Sequence, residues 1–268
     1  MTDLQTLRMG VRDGVCWVAL DRPEVLNTIS RPMLQELRAA FVWMRTSDEV
    51  RVAVLTGCGR AFCAGADLAG ISLDTDGAAL LGFLTELGDV FQDLRSFPKP
   101  LIGAINGTAA GGGLELALCC DFVLARSDAR FSDAHANIGA IPGGGSCALL
   151  PRRVGPSFAK YMIFSGEWVS AEEMRDLGFV CKTFAPDEFE QGVQRVAARI
   201  ACNSAEGVAT SKRVVDQGLA LPSLNDALAV ELAANAEHVR SADFIEGVRA
   251  FREKRKPQFN QSNKEATQ

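Results

Sequence analysis

The sequence of 268 residues contains only two histidines, His135 and His238, which lie far apart in the chain. Protein zinc sites combine several histidine and cysteine ligands at short, regular spacing. The eight cysteines include no C-x-x-C pair, and Cys119 and Cys120 are adjacent within an apolar segment. We therefore expect no metal ion and interpret the cysteines as reduced, packed thiols.

The sequence also lacks features that are typical of membrane proteins, secreted proteins and nucleic-acid-binding proteins. No apolar run approaches the roughly 18 residues of a membrane span, and the N-terminus lacks the basic and apolar regions of a signal peptide. The net charge of −5 at pH 7 gives no electrostatic reason to expect nucleic acid or an anionic membrane as a partner. We expect a cytoplasmic protein that binds neither.

Short apolar segments with strand character alternate with helical ones, which predicts an α/β fold. Strands are predicted at Val15–Leu20, Val50–Thr56, Leu101–Ile105 and Phe122–Ala125, and helices at Ser30–Met44, capped by Ser30, and Leu84–Leu94. The small, polar stretch Leu68–Gly82 is predicted to be a loop. After about Ser204 the pattern is helical, at Ala205–Gln217, Leu224–Arg240 and Asp243–Lys254.

The most informative segment follows the predicted strand Leu101–Ile105. It contains the triplet Gly111-Gly112-Gly113 and then an apolar helix whose only charge near its start is Glu115. Glycines let a ligand approach the backbone, and free N–H groups at a helix N-terminus favour negative charge. This pattern suits an oxyanion hole beside an acid/base carboxylate. A tight turn, with Glu115 only complementing the helix dipole, remains the alternative.

Other glycine-loop motifs fit the triplet less well. A phosphate-binding P-loop ends in Gly-Lys-Ser/Thr, whereas Gly113 is followed by Leu114 and Glu115. A dinucleotide-binding motif needs a third glycine where Leu116 stands. A nucleophile elbow needs a serine between spaced glycines, and the triplet has none.

A second glycine-containing segment, Gly57-Cys-Gly-Arg-Ala-Phe-Cys-Ala-Gly-Ala-Asp67, follows the predicted strand that ends at Thr56. Together with the triplet, Leu20-Asp-Arg-Pro-Glu-Val-Leu-Asn27, Gly139-Ala-Ile-Pro-Gly-Gly-Gly145 and Phe251-Arg-Glu-Lys-Arg-Lys256, it resembles the enoyl-CoA hydratase/isomerase (crotonase) superfamily. The resemblance implies a spiral of ββα turns with a C-terminal helical region. It also implies a catalytic core at 1–203 and, at 204–268, a region that forms homo-trimers or hexamers.

The resemblance further implies an acyl-CoA thioester substrate, with no cofactor besides the coenzyme A that the substrate carries. The oxyanion hole falls on the backbone N–H groups of Ala64 and Gly112. Glu115 corresponds to the first catalytic glutamate of the family, acting as general base or acid. The N–H of Gly143 corresponds to a contact with the attacking water.

One position departs from the family pattern. Hydratases of this family normally have a second glutamate twenty residues after the first, and here that position is His135. A histidine can hold a water molecule or transfer a proton near neutral pH. Asp133, two residues earlier, would point the same way on an extended segment and either orient the imidazole or contribute directly. The alternative is that His135 only lines the pocket.

Coenzyme A contacts are likewise implied by the resemblance. Val25 and Leu26 correspond to residues that line the pantetheine, whereas Ala66 and Leu68 flank the adenine pocket. Phe251 and Lys254 correspond to C-terminal residues that reach the nucleotide of a neighbouring subunit, although an ordinary charged helix end explains Lys254 equally well. Two further expectations come from the residues themselves: Arg22 is a candidate phosphate partner by its charge, and Asp67, beside this adenine pocket, is expected to cap the following helix.

These observations predict hydration of a trans-2-enoyl-CoA. The alternatives are a double-bond isomerase, a hydrolase or lyase variant that uses His135 or Asp133, and an acyl-CoA-binding protein without turnover. Retention of Glu115 favours an enzyme, whereas the missing second glutamate favours the binding protein. His238, between charged residues of a polar helix, is expected on a solvated face.

Overall fold

The computed structural model describes residues 4–70 and 77–260. Its strands are β1 Leu7–Arg12, β2 Val15–Leu20, β3 Val52–Gly57, β4 Ala61–Cys63, β5 Leu101–Ile105, β6 Thr108–Ala110, β7 Phe122–Arg126, β8 Arg130–Ser132, β9 Val169–Ser170 and β10 Val180–Phe184. Its helices are α1 Arg31–Thr46, α2 Ala78–Arg95, α3 Gly112–Leu118, α4 Ser146–Val154, α5 Pro156–Ser165, α6 Ala171–Asp176, α7 Phe189–Ala201, α8 Ala205–Ala220, α9 Leu224–His238 and α10 Ala242–Arg252.

Within the described residues, the strands form a larger sheet in the order β1-β2-β3-β5-β7-β10 and a smaller one in the order β4-β6-β8-β9. Three times along the chain, a strand of the larger sheet is followed by a strand of the smaller sheet: β3 by β4, β5 by β6 and β7 by β8. Helical segments connect one pair to the next. The chain therefore winds as a spiral of ββα turns followed by a C-terminal helical region, which confirms the predicted fold.

Both faces of the larger sheet are covered. On β3, Val52 and Val54 pack into a cluster with α7, whereas Ala53 and Leu55 face the main core on the other side. This alternation is the period of two that a strand imposes on its side chains. Since both sets are apolar and buried, β3 has the continuous hydrophobic sequence typical of a central parallel strand.

Most predicted elements are confirmed, with small differences at their ends. Ser30 caps α1, because its hydroxyl oxygen accepts a hydrogen bond from the Met33 N–H at 3.4 Å. The predicted loop Leu68–Gly82 is wrong at both ends: Leu68–Gly70 forms a 3-10 turn, and α2 begins at Ala78. Residues 71–76 of that loop lie outside the described residues.

The C-terminal helices are tied to the sheet by a partly buried ion pair. Lys212 on α8 contacts Asp121 at 2.8 Å and donates to the Lys99 carbonyl oxygen at 3.2 Å. Several large apolar side chains in this region are exposed: Val215, Leu219, Leu224, Leu228, Leu232 and Phe251. An assembly role for 204–268 stays a prediction. None of the helices in residues 4–70 and 77–260 is long and apolar enough to cross a membrane.

The smaller sheet brings three loops together. β4 pairs with β6, and β6 with β8, in both cases parallel. The carboxyl ends of parallel strands meet at one edge of a sheet, where ligands of α/β proteins commonly bind. The segments after β4, β6 and β8 contain the glycine loops and His135 of the sequence analysis.

A substitution at Gly113 tests how closely α3 packs against β4. A Cβ added at Gly113 would collide with the carbonyl group of Cys63, which is backbone and cannot rotate away. We expect Gly113→Ala to lower the free energy of unfolding by at least the roughly 1–3 kcal/mol of an overpacked core. Gly88→Ala on α2, where an added Cβ meets nothing within 4 Å, should instead stabilise by about 0.5–1 kcal/mol. Urea titration measures both; equal effects would contradict this packing.

Candidate active site

Backbone nitrogen atoms from two loops lie close together at the edge of the smaller sheet. A Cβ added at Gly112, the first residue of α3, would lie 3.5 Å from the Ala66 nitrogen. Within the described part of the chain, neither the Ala66 nor the Gly112 N–H donates a hydrogen bond. Two close, unpartnered donors at a helix N-terminus form a concentrated positive site.

The expectation that Ala64 supplies one of these donors is wrong. The Ala64 N–H donates to the Leu26 carbonyl oxygen at 3.0 Å and is therefore occupied. Two residues later, Ala66 forms an isolated parallel bridge with Ile29, whose own N–H donates to the Gly65 carbonyl oxygen. The hydrogen bonds at Ala64 and Gly65 hold this loop in place and leave the Ala66 N–H free.

The Glu115 carboxylate is fixed by two backbone donors from the glycine run before α4. Its Oε1 accepts from the N–H of Gly144 at 2.7 Å and of Ser146 at 3.1 Å, and the residue is 2% exposed. A Cβ added at Gly144 would lie 2.6 Å from Glu115 Oε2, so only glycine leaves the carboxylate in place. Burial raises the pKa of Glu115, and the two N–H groups and the charge of His135 oppose the rise.

His135 lies between two carboxylates. Its Nδ1 is 3.0 Å from Asp133 Oδ1, and its Nε2 is 3.8 Å from Glu115 Oε2. Burial of the ring disfavours its charge, but the hydrogen bond to Asp133 and the charges of both carboxylates outweigh this effect. Together they raise the pKa of His135 above its ordinary value. The described residues thus contain a chain of three titratable groups, Asp133, His135 and Glu115, in hydrogen-bond or ion-pair contact.

A strained turn brings His135 back toward Asp133. Ala134 has a φ of 59°, in the left-handed region that residues other than glycine rarely adopt, and the His135 N–H donates to the Asp133 carbonyl oxygen at 2.8 Å. Such a conformation costs about 1–2 kcal/mol. The imidazole therefore reaches Asp133 through a tight turn and not through the extended alternation expected from the sequence.

Asp133 is fully buried and only partly satisfied. Its side chain has no solvent exposure, and its Oδ2 has no hydrogen-bond partner within the described residues. The one side chain that forms a hydrogen bond with its carboxylate there is His135, through Oδ1. Because a buried carboxylate is costly without partners, the free energy of this group depends strongly on the imidazole.

The segments predicted to line coenzyme A are neighbours. The hydrogen bonds between 26–29 and 64–67 place Val25 and Leu26 beside the strand-like segment of Ala66, and Val25 and Leu68 are exposed. Phe251 lies in the last turn of α10 and Lys254 lies two residues beyond the end of that helix; both are exposed.

Arg22 and Asp67 pair with each other. Arg22 Nη1 is 2.9 Å from Asp67 Oδ2 and donates to the Thr28 carbonyl oxygen at the same distance. Asp67 directly precedes the 3-10 helix Leu68–Gly70, and its expected role as the cap of that helix stays a prediction. The charge of Arg22 is thereby partly neutralised before any phosphate binds.

Gly143 and His238 complete the predicted set. Gly143 is exposed, and its N–H has no acceptor among the described residues. The expectation of a solvated His238 is wrong: its ring is half-buried against Phe244 at 6.2 Å between centroids, and its Nδ1 is buried without a hydrogen-bond partner there.

Sequence reasoning missed Ala66 as a free donor, and Gly144 and Ser146 as the groups that hold Glu115. The side chain does not indicate whether a backbone N–H is free, so the sequence does not show whether Ala64 or Ala66 is the donor. The run Gly143-Gly-Gly145 was a usable signal for close approach, although it does not say what approaches. No cluster of His, Cys, Asp or Glu suited to a metal ion occurs in 4–70 or 77–260.

The contact between Asp133 and His135 predicts a measurable titration. We expect the pKa of His135 to lie above about 6.5 in the unliganded protein and to fall in Asp133→Asn, because the variant loses the neighbouring negative charge. Two-dimensional NMR of the imidazole groups measures it, and His238→Gln assigns the signals because the chain has only two histidines. An unchanged pKa in Asp133→Asn would contradict the contact.

Comparisons of the sequence and of the fold show which known proteins the chain is similar to. The sequence model of the family "Enoyl-CoA hydratase/isomerase" matches residues 10–263. A probable enoyl-CoA hydratase of Rhodobacter capsulatus is 38% identical, covering 95% of this chain and 97% of that protein. The 1,2-epoxyphenylacetyl-CoA isomerase of Escherichia coli is 35% identical, covering 93% and 96%. The crystal structure of an enoyl-CoA hydratase from Bacillus anthracis matches with a TM-score of 0.90 at 32% identity, covering 95% and 99%.

Proposed function

Because the chain belongs to the enoyl-CoA hydratase/isomerase family, we propose that it adds water across the double bond of a trans-2-enoyl-CoA thioester. The observation that carries this proposal is the contact between Glu115 Oε2 and His135 Nε2, at 3.8 Å, beside two free backbone donors. A water molecule that bridges these two atoms from one side would contact a base and an acid at once.

The free N–H groups of Ala66 and Gly112 bind the thioester oxygen in this account. Addition of water to C3 places negative charge on that oxygen as an enolate. Each backbone donor aimed at such an oxygen is worth about 2.7–4 kcal/mol of transition-state stabilisation. The thioester itself accepts the electron pair, so the reaction uses no cofactor besides the coenzyme A of the substrate.

Glu115 acts as the general base and His135 as the general acid. Glu115 Oε2 takes a proton from the water whose oxygen bonds to C3, and His135 Nε2–H gives a proton to C2 as the enolate collapses. The proton then returns from Glu115 to His135, so one water molecule is consumed. The directions of both pKa shifts suit these roles. Burial raises the pKa of Glu115 toward neutral pH, and the neighbouring carboxylates raise the pKa of His135, which favours its protonated form.

Asp133 is a positioning residue for His135. By accepting from Nδ1–H, it fixes the tautomer and directs Nε2 toward Glu115. The Gly143 N–H, exposed and without an acceptor in the described residues, is available to the attacking water, as the resemblance implies.

In this proposal, coenzyme A binds along the two neighbouring segments 25–29 and 64–68. Val25 and Leu26 line the pantetheine, Ala66 and Leu68 border the adenine, and Phe251 and Lys254 contact the nucleotide of a neighbouring subunit. The exposed apolar side chains of α8, α9 and α10 support a homo-trimer or hexamer formed through 204–268. Light scattering after size-exclusion chromatography measures the subunit number.

Isomerisation is the second candidate, favoured by the relative named 1,2-epoxyphenylacetyl-CoA isomerase. The same base and acid would remove a proton from one carbon of the acyl group and return it to another, without water. Product analysis of a 3-enoyl-CoA substrate separates the two reactions.

The first test is hydration of crotonyl-CoA, followed by the loss of enoyl-thioester absorbance. We expect Glu115→Gln and His135→Ala each to lower kcat by about 10²–10⁴-fold, the usual contribution of a general base or acid. His238→Ala, which changes the other histidine, should leave kcat within a factor of two or so, since the ring lies outside the site.

Binding of the saturated analogue butyryl-CoA by the same variants shows whether each protein is folded and competent. Tight binding by the wild type without turnover of any enoyl-CoA would contradict the hydratase and favour an acyl-CoA-binding protein. Undiminished turnover in His135→Ala would remove His135 from the reaction.

A further inference from the structure

One face of α2 forms an apolar wall along the glycine run of the site. Leu84, Leu87 and Phe91 follow one another at helical spacing on this face; Leu87 and Phe91 are buried, and Leu84 is half-buried. A Cβ added at Gly143 would lie 3.2 Å from Leu84 Cδ2, and one added at Gly144 would lie 2.9 Å from Phe91 Cε2. Leu84 is therefore the residue of the wall that is both in contact with the run and reachable from solvent.

In the proposed reaction, the positions of the thioester oxygen and of C3 constrain the path of the acyl chain. In the pose that the proposed reaction requires, with the carbonyl oxygen at the Ala66 and Gly112 donors and C3 beside Glu115, the substituent on C3 runs along the segment whose Gly144 and Ser146 N–H groups hold the Glu115 carboxylate. Gly144 is closed off by the Glu115 carboxylate and Phe91. Neither Glu115 nor Phe91 is among the nearest atoms at Gly143, where the end of the Leu84 side chain lies instead.

We propose that Leu84 limits the length of the acyl chain, so that the enzyme acts on short, unbranched 2-enoyl-CoA thioesters. This inference rests on the proposed function and names its substrate class. The isobutyl group of Leu84 occupies the volume that carbons beyond C4 would need. Apolar pockets discriminate in this way because an occupied volume cannot accept further methylene groups.

The wall is held in place by Arg31, at the start of α1. Its Nη1 is 2.7 Å from Glu86 Oε2, its Nη2 donates to the Ala79 carbonyl oxygen at 3.3 Å, and its guanidinium carbon lies 5.9 Å from the Phe83 ring centre. These contacts attach the first turns of α2 to α1. Leu84, which lies between Phe83 and Glu86 on α2, is thus part of an anchored helix and not of a free loop end.

The test compares kcat/KM for crotonyl-CoA and for trans-2-decenoyl-CoA in the wild type and in Leu84→Ala. We expect the wild type to prefer the four-carbon substrate and Leu84→Ala to raise the ratio of decenoyl to crotonyl turnover by about tenfold or more. Leu84→Phe should change specificity in the opposite direction and lower the ratio of hexenoyl to crotonyl turnover. Leu81→Ala, one turn earlier and 67% exposed, is the matched control and should leave both ratios unchanged.

A Leu84→Ala variant that loses activity on both substrates equally, with the ratio unchanged, would overturn the inference. A ratio of hexenoyl to crotonyl turnover that is the same in Leu84→Phe as in the wild type would also overturn it. If the wild type hydrates no enoyl-CoA, the proposed function fails separately. Leu84 is then judged by calorimetric affinity for butyryl-CoA and decanoyl-CoA, where an unchanged preference in Leu84→Ala overturns its role.

Discussion

The candidate site depends on the parallel pairing of three short strands. β4, β6 and β8 run in the same direction in the smaller sheet, so the segments that follow them emerge at one edge. One segment supplies the Ala66 N–H, the second the Gly112 N–H and Glu115, and the third His135. Each strand is three residues long, which keeps the three loops close together while the larger sheet and its two apolar clusters provide the bulk of the core.

Within that frame, the electrostatics of the site follow from burial. The Glu115 carboxylate is removed from water and supported by two N–H groups on one oxygen, which leaves the other oxygen facing His135. Asp133 is also buried and depends on the same imidazole. One cation-forming ring between two buried carboxylates explains why the histidine pKa rises despite burial. In the proposed reaction, the same arrangement lets His135 donate a proton at the position where the resemblance implies a glutamate.

The sequence was most informative where a side chain or a glycine itself carries the constraint. The strand Leu101–Ile105, the glycine triplet and the lone charge of Glu115 in an apolar helix could be read directly. The choice between Ala64 and Ala66 could not, because it depends on which N–H the Leu26 carbonyl oxygen accepts. The turn at Ala134 could not be predicted either, since alanine has no preference for positive φ. The half-buried ring of His238 could not be predicted because its sequence neighbours are charged and its contact with Phe244 is made in the fold.

The central claim is that His135 supplies the proton that C2 receives in the proposed hydration. The most direct measurement is the pH dependence of kcat/KM for crotonyl-CoA in the wild type and in His135→Glu. The account predicts that wild-type activity falls as pH rises through the raised pKa of His135. In His135→Glu this limb should shift, because a carboxyl group with its own pKa replaces the imidazole. The same alkaline limb in both proteins would contradict the claim.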